Sequence, residues 1–314
     1  PSEQEMAAIH ALEYVQEMPP SDLPYYMMIP SVPCKNNPDY LLRVLGSLKD
    51  FPQTQVYVFN NGAPGQYHHR WEEARRKYPN MHFLRSQAPL PEPPPSVGNF
   101  SVPLPEYIQA IVDKHNDTDV VIARNDTETR LKWRRKECFD FTTMSEFMLR
   151  MIPVEKHTRD TWIIFNQDDA LWTKDFETIQ GHILKSEEPR IDLNKDGLVS
   201  VAFRGDIFPL LVAWAHQWCD FKPVDWMVWS FYKQNGYCAA CKKLPTGVVR
   251  HIGKVSSRYG RVKGAEEQDK RLQEEAARKN AAKRMMPMIE PSMKQSTTTN
   301  RERLEAFQMR RSKQ

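Results

Sequence analysis

The stretch Thr161-Trp-Ile-Ile-Phe-Asn-Gln-Asp-Asp169 ends an apolar run with two adjacent carboxylates. Trp162 to Phe165 are all β-branched or aromatic, which predicts a buried strand, and acids at the carboxyl end of such a strand fall where open α/β sheets bind ligands. Carboxylate oxygens suit a hard divalent cation, Mn2+ or Mg2+, and a cation held there can also take the oxygens of a diphosphate. Asp168 and Asp169 are therefore placed as a nucleotide-dependent transferase requires. The alternative for the same two residues is a helix cap, because Asp is common in strand-to-helix loops.

Two other motifs lead elsewhere. Asp192-Leu-Asn-Lys-Asp-Gly197 matches the first half of a calcium-binding loop, but its twelfth position is Phe203 in place of Glu, so it reads as a polar turn into a strand. Cys238-Ala-Ala-Cys241 is a single CxxC with no second pair and no histidine at finger spacing, which argues against zinc and leaves a local disulfide or two ordinary thiols. The five cysteines, with Cys34, Cys138 and Cys219, form no dense disulfide framework. Asn-x-Ser/Thr sites begin at Asn99, Asn116 and Asn125, as in secretory proteins, although chance supplies some in any chain of this length.

The elements that position the acid pair follow from periodicity. Tyr25 to Ile29 predicts a short strand, ended by Pro30-Ser-Val-Pro33. Tyr40, Leu41, Val44, Leu45 and Leu48 recur at helical spacing, and Gln55 to Asn60 is a second strand, so the order argues a parallel βαβ unit. A third strand lies near Met81 to Leu84. Seven prolines between Ala88 and Pro105 exclude helix there and predict an extended surface loop. Helices are expected from about Leu131 to Met151, Thr173 to Lys185, Phe208 to Trp218 and Val224 to Tyr232. Strands are expected at Leu198 to Phe203 and near Val248 to Ile252.

The 314 residues, 40% of them apolar, can bury a full core. The organisation expected is a polar stem or peripheral helix over 1–22, one catalytic domain over 23–263, and a charged helical or disordered tail over 264–314. A net charge of +4, with the basic excess near the carboxyl end, does not call for nucleic acid. No run of 18 apolar residues predicts a membrane helix, and the start at Pro1 leaves an upstream signal or anchor as an expectation.

Four segments in order, Lys132-Trp-Arg-Arg-Lys-Glu-Cys-Phe-Asp140, Gln167-Asp-Asp169, Lys222-Pro-Val-Asp-Trp226 and Arg250-His-Ile-Gly253 with Ser256-Ser257, resemble the N-acetylglucosaminyltransferase IV family. Ile29-Pro-Ser-Val32 is similar to that family's opening strand end, and the resemblance covers roughly Tyr25 to Arg261. It implies a GT-A fold, a Rossmann-like mixed sheet flanked by helices. It also implies an inverting transfer of N-acetylglucosamine from UDP-N-acetylglucosamine to a mannose of an N-glycan, in the Golgi or another secretory lumen. By the same resemblance Asp169 and His251 would be metal ligands for Mn2+ or Mg2+, with Asp168 beside them, and Asp225 the catalytic base. Pro30, Ser31 and Asn60 would line the uridine, and one of Arg134 and Lys136 would reach the phosphates. For His251 a core histidine, for Asp225 a helix cap, and for Arg134 and Lys136 a solvated helix face remain the alternatives. Trp226 and Trp229 are expected in the core. Gln167 departs from the family's first acid, which leaves open a noncatalytic glycan- or partner-binding protein on a degenerate transferase fold.

Overall fold

The computed structural model describes residues 12–16, 23–33, 39–51, 53–62, 66–86, 102–115, 120, 128–194, 197–238, 241–243 and 248–253. Contacts divide the chain into Pro1–Lys263 and Gly264–Gln314. The tail, most of the proline-rich stretch, Ser256-Ser257 and the three Asn-x-Ser/Thr asparagines lie outside the described residues.

The first parallel unit is built as the periodicity predicts. Strand β2 (Tyr25–Ser31) leads through helix α1 (Tyr40–Leu48) to β3 (Thr54–Asn60), and helix α2 (Trp71–Lys77) leads on to β4 (His82–Ser86). Strand β5 (Trp162–Asn166) then pairs parallel to β2 on its other side. Strands β7 (Arg190–Asp192), β8 (Ser200–Arg204) and β9 (Lys242–Lys243) extend that side. With β1 (Leu12–Gln16) the sheet has, among the described residues, eight strands in the order β1-β4-β3-β2-β5-β8-β7-β9. It is mixed: β4, β3, β2 and β5 are parallel, while β1 and β8 pair antiparallel to their neighbours. A second, two-stranded sheet joins β6 (Ala170–Trp172) to β10 (Val249–His251).

Helices cover both faces, which is why the central strands read as continuous apolar runs and not as alternation. On one face Tyr26, Met28, Phe59, Ile163 and Phe203 meet helix α4 (Glu128–Met151), helix α6 (Phe208–Trp218) and helix α7 (Val224–Gln234). On the other Met27, Ile29, Val58, Trp162 and Ile164 meet α1, α2 and helix α5 (Phe176–Leu184). Helix α3 (Glu106–His115) adds Ile108 to the first face. A disulfide joins Cys138 of α4 to Cys219 at the end of α6, and a second joins Cys238 to Cys241.

Several sequence expectations need correction. Leu12–Gln16, placed in a polar stem, is an edge strand on β4. Helix α5 begins at Phe176, not Thr173, because the Asp175 carboxylate accepts the Thr178 N–H at 2.7 Å and caps it there. The strand expected near Val248 to Ile252 is present as β10 and lies in the small sheet, paired with Ala170–Trp172. Trp229 is 42% exposed, because the buried stripe of α7 runs through Val224, Met227, Val228, Phe231 and Tyr232 and leaves it outside.

Candidate active site

Strands β3 and β4 follow in succession on one side of β2, and β5 lies on the other, so the order reverses between β2 and β5. The crevice outside the carboxyl ends of two such strands is the ligand-binding position of open α/β sheets. Pro30 helps to open it. The β2–β5 pairing stops at Met28 opposite Phe165, whereas β2 stays paired with β3 as far as Ser31 opposite Asn60. A proline at position 30 has no N–H for a further rung, so β2 passes the end of β5 with one side unpaired.

Asp168 and Asp169 sit on the turn that leaves β5 at this point. The Val32 N–H, at the end of β2, donates to Asp168 Oδ2 at 3.3 Å across the crevice. Burial, and then the neighbouring charge of Asp169, push the Asp168 carboxyl well above its ordinary range, while the Val32 N–H and the Ser31 hydroxyl pull the other way. Asn166, fully buried, braces the turn. Its amide donates to the carbonyls of Gln167 at 3.0 Å and Ala170 at 3.1 Å, and its carbonyl accepts from Trp172 Nε1 at 2.8 Å and the Ser200 hydroxyl at 2.7 Å. Such a saturated buried amide fixes the backbone that carries both acids.

The small sheet delivers His251. Its strand places His251 opposite Ala170, and the Ile252 N–H donates to the Asp169 carbonyl at 2.8 Å. His251 Nε2 then lies 3.0 Å from Asp169 Oδ2. Asn194 secures β10 by donating to the Val249 carbonyl at 2.7 Å. A Cβ on Gly253 would meet Asp169 Oδ2 at 1.9 Å, so a backbone without a side chain closes over the carboxylate.

Asp225 comes from the first turn of α7. The helix begins at Val224 after Pro223, so Asp225 is not its cap as the sequence alternative had it, although Asp225 Oδ1 accepts the Trp226 N–H at 2.9 Å. Its other oxygen faces Gly197, whose φ of +54° is the left-handed turn leading to β8. Because the Gln167 N–H donates to the Val199 carbonyl at 2.9 Å, that turn lies at the same edge of the sheet as the acid pair. Burial raises the pKa of Asp225.

The remaining predicted residues take mixed places. Lys136 Nζ donates to the Asn61 carbonyl at 2.7 Å, just past the end of β3, and is also paired with Asp140. Burial raises Asp140 to about 6 against the pull of Lys136. Arg134 is 6% exposed. Asn60 spends its amide on the Gly62 N–H and the Gln66 carbonyl, and Ser31 is fully buried.

The arrangement fits a divalent cation at Asp169. Asp169 Oδ1 is buried without a hydrogen-bond partner, Oδ2 faces an imidazole nitrogen, and Gly253, lacking a Cβ, lets its backbone pack against the carboxylate. Asp168 does not converge on the pair: among the described residues Glu188, Cys238 and Cys241 are the one group of three such side chains whose ligand atoms gather closely. A cation here would thus have two protein ligands and would need a substrate or water to complete its shell.

Sequence reasoning missed Asn166 as a brace and undervalued Gly253. Asn at a strand end is a weak signal by itself, and the partners that reveal its role, Trp172 and Ser200, come from two other strands.

No family model and no curated protein matches the chain. Among solved structures, the apo form of mouse xyloside xylosyltransferase 1 is similar over 67% of this chain and 82% of that one, at 10% sequence identity and a TM-score of 0.35.

Proposed function

We propose that the chain is an inverting, cation-dependent glycosyltransferase that moves N-acetylglucosamine from UDP-N-acetylglucosamine to a glycan acceptor, a mannose of an N-glycan. One observation carries the reading: the sheet reverses its order at β2 and β5, and the Asp169–His251 pair lies there, with Asp168 on the same turn held by the Val32 N–H. The donor and acceptor rest on the resemblance of the four motifs to the N-acetylglucosaminyltransferase IV family.

Asp169 and His251 would hold Mn2+ or Mg2+, which when bound neutralises the diphosphate of the donor and of the leaving nucleotide. Asp168, bonded to the Val32 N–H, orders the turn beneath that diphosphate. Asp225 is the base that takes the proton from the acceptor hydroxyl as its oxygen attacks the anomeric carbon. A carboxylate with a raised pKa is better matched to that transfer than an exposed one. Lys136, anchored at the end of β3, supplies positive charge on the nucleotide side, and Pro30, Ser31 and Asn60 form the wall against the uridine. Two disulfides are in keeping with the Golgi or another secretory lumen. Among the described residues no helix is long and apolar enough to cross a membrane.

The test is hydrolysis of UDP-N-acetylglucosamine, and transfer to high-mannose or hybrid glycans, with Mn2+ and with a chelator. Cation-dependent turnover is expected. Gln167, in place of an acid, favours a second reading, a noncatalytic glycan-binding protein on the same fold. Glycan binding with no turnover at any cation concentration would select it.

A further inference from the structure

We propose that Cys238, Cys241 and Glu188 bind a divalent cation of the zinc class once the Cys238–Cys241 disulfide is reduced. The two sulfurs and a Glu188 carboxylate oxygen lie within 4.8 Å of one another. The sheet dictates their meeting. β7 and β9 run parallel with Ile191 opposite Lys242, so the residues ahead of the two strands, Glu188 on one side and Cys238 and Cys241 on the other, arrive at the same end. The backbone of the acid is held without help from sulfur: the Glu188 N–H donates to the Ser186 hydroxyl at 3.3 Å, and Arg204 Nη1 donates to the Glu187 carbonyl at 3.0 Å. Cys241 is buried, whereas Cys238 and Glu188 are half-buried, so a small thiol and a cation can reach the group.

A lone CxxC gives zinc too few ligands, which is why its spacing argues against zinc, but the fold adds the Glu188 carboxylate as a third, with water in the fourth position of a tetrahedral shell. Mg2+ and Ca2+ prefer oxygen, which separates this site chemically from the one at Asp169. A small-molecule thiol as reductant delivers two electrons to the S–S bond, leaving two protein thiols and one reagent disulfide. The cation then displaces two protons as both sulfurs bind as thiolates. The bridge spans a sequence separation of 3, against 81 for Cys138–Cys219, so little chain entropy rests on it and the fold survives its opening.

The experiment is a Cd2+ titration of the chain after mild reduction and anaerobic removal of the reductant, followed by sulfur-to-metal charge-transfer absorption in the ultraviolet. Absorption should saturate at one cation per chain. It should be absent from the oxidised protein and from Cys238→Ser and Cys241→Ser, and be unchanged in Asp169→Asn. Glu188→Gln should bind about tenfold more weakly or worse, since the loss of even a supporting partner costs that much. No absorption in the reduced protein, or the same absorption in the two serine variants, would overturn the site. Loss of the circular dichroism of the fold on reduction alone would overturn it equally.

Discussion

A Cβ added to Gly253 would lie 1.9 Å from Asp169 Oδ2 and 2.8 Å from His251 Nε2. The glycine is therefore a condition for the carboxylate and the imidazole to meet at 3.0 Å. In Gly253→Ala one of the three must move, and the Asp169 side chain, half-buried on a turn, is the one free to do so. The variant should lose about tenfold or more in Mn2+ affinity, by analogy with other groups that orient metal ligands. Its melting temperature should stay near that of the parent, since no core contact changes. Calorimetric Mn2+ titration checks this, and an unchanged affinity would show that the pair does not hold the cation.

Asp225→Asn keeps the shape of the first turn of α7 and its bond to the Trp226 N–H but removes the base. Transfer should fall on the order of 10² or more, with donor affinity little changed. Steady-state kinetics with the donor varied separates the two. A fall in donor affinity that matches the fall in rate would make Asp225 a binding group.

The two disulfides should differ sharply in their effect on stability. Replacing Cys138 and Cys219 with alanine releases a loop with a sequence separation of 81 and should cost about 4 kcal/mol by loop entropy, whereas replacing Cys238 and Cys241 should cost about 2 kcal/mol or less. Denaturant unfolding of the two double variants measures the difference. The reverse order would mean that α4 and α6 are held by packing and not by the bridge.

His68 and His82 should each remove stability as pH falls below about 6.5. Burial lowers both His68 and His82 to about 4 from an ordinary value of 6.5, so the folded state binds fewer protons than the unfolded chain between those limits. Each histidine can then remove up to about 1.4 kcal/mol per pH unit as pH falls through that window. Asp140 acts in the opposite sense: raised to about 6, it relieves a buried charge as it takes up a proton below that pH. Asp168 and Asp225, also raised by burial, act in the same sense as Asp140. His82→Gln, which keeps a partner for the Gln55 amide, isolates the histidine contribution: between pH 7 and pH 5 its unfolding free energy should fall less, or rise more, toward acid than that of the parent. An unaltered slope would mean His82 is not the neutral buried group described.

Much of this fold is legible in the sequence because burial on two faces writes itself as apolar runs. Tyr25 to Ile29 and Trp162 to Phe165 are examples, and their helix-covered sheet follows. Helix α2 escaped because only Trp71 and Ala74 are buried on it, and the charged residues Glu72, Glu73, Arg75 and Arg76 leave no apolar period to read. Strand β6 is three residues long and exists through its pairing with β10, a contact no local window contains. The same holds at the site. Two acids at a strand end announce themselves, but the Asn166 brace depends on Trp172 and Ser200, and the role of Gly253 depends on where Asp169 turns. Trp229 misled because an aromatic in an apolar helix reads as core, while one step of helical phase leaves it over Arg190 at the surface.

Binding of UDP to the parent chain and to Asp169→Asn, each measured by calorimetry with Mn2+ and with chelator, tests most directly whether the β2–β5 crevice is a cation-assisted nucleotide site. The parent should bind UDP only with Mn2+, and Asp169→Asn should lose that binding, on the order of 10²-fold, while unfolding as cooperatively as the parent. UDP affinity that is indifferent to Mn2+, or that survives in Asp169→Asn at matched Mn2+, would contradict the assignment.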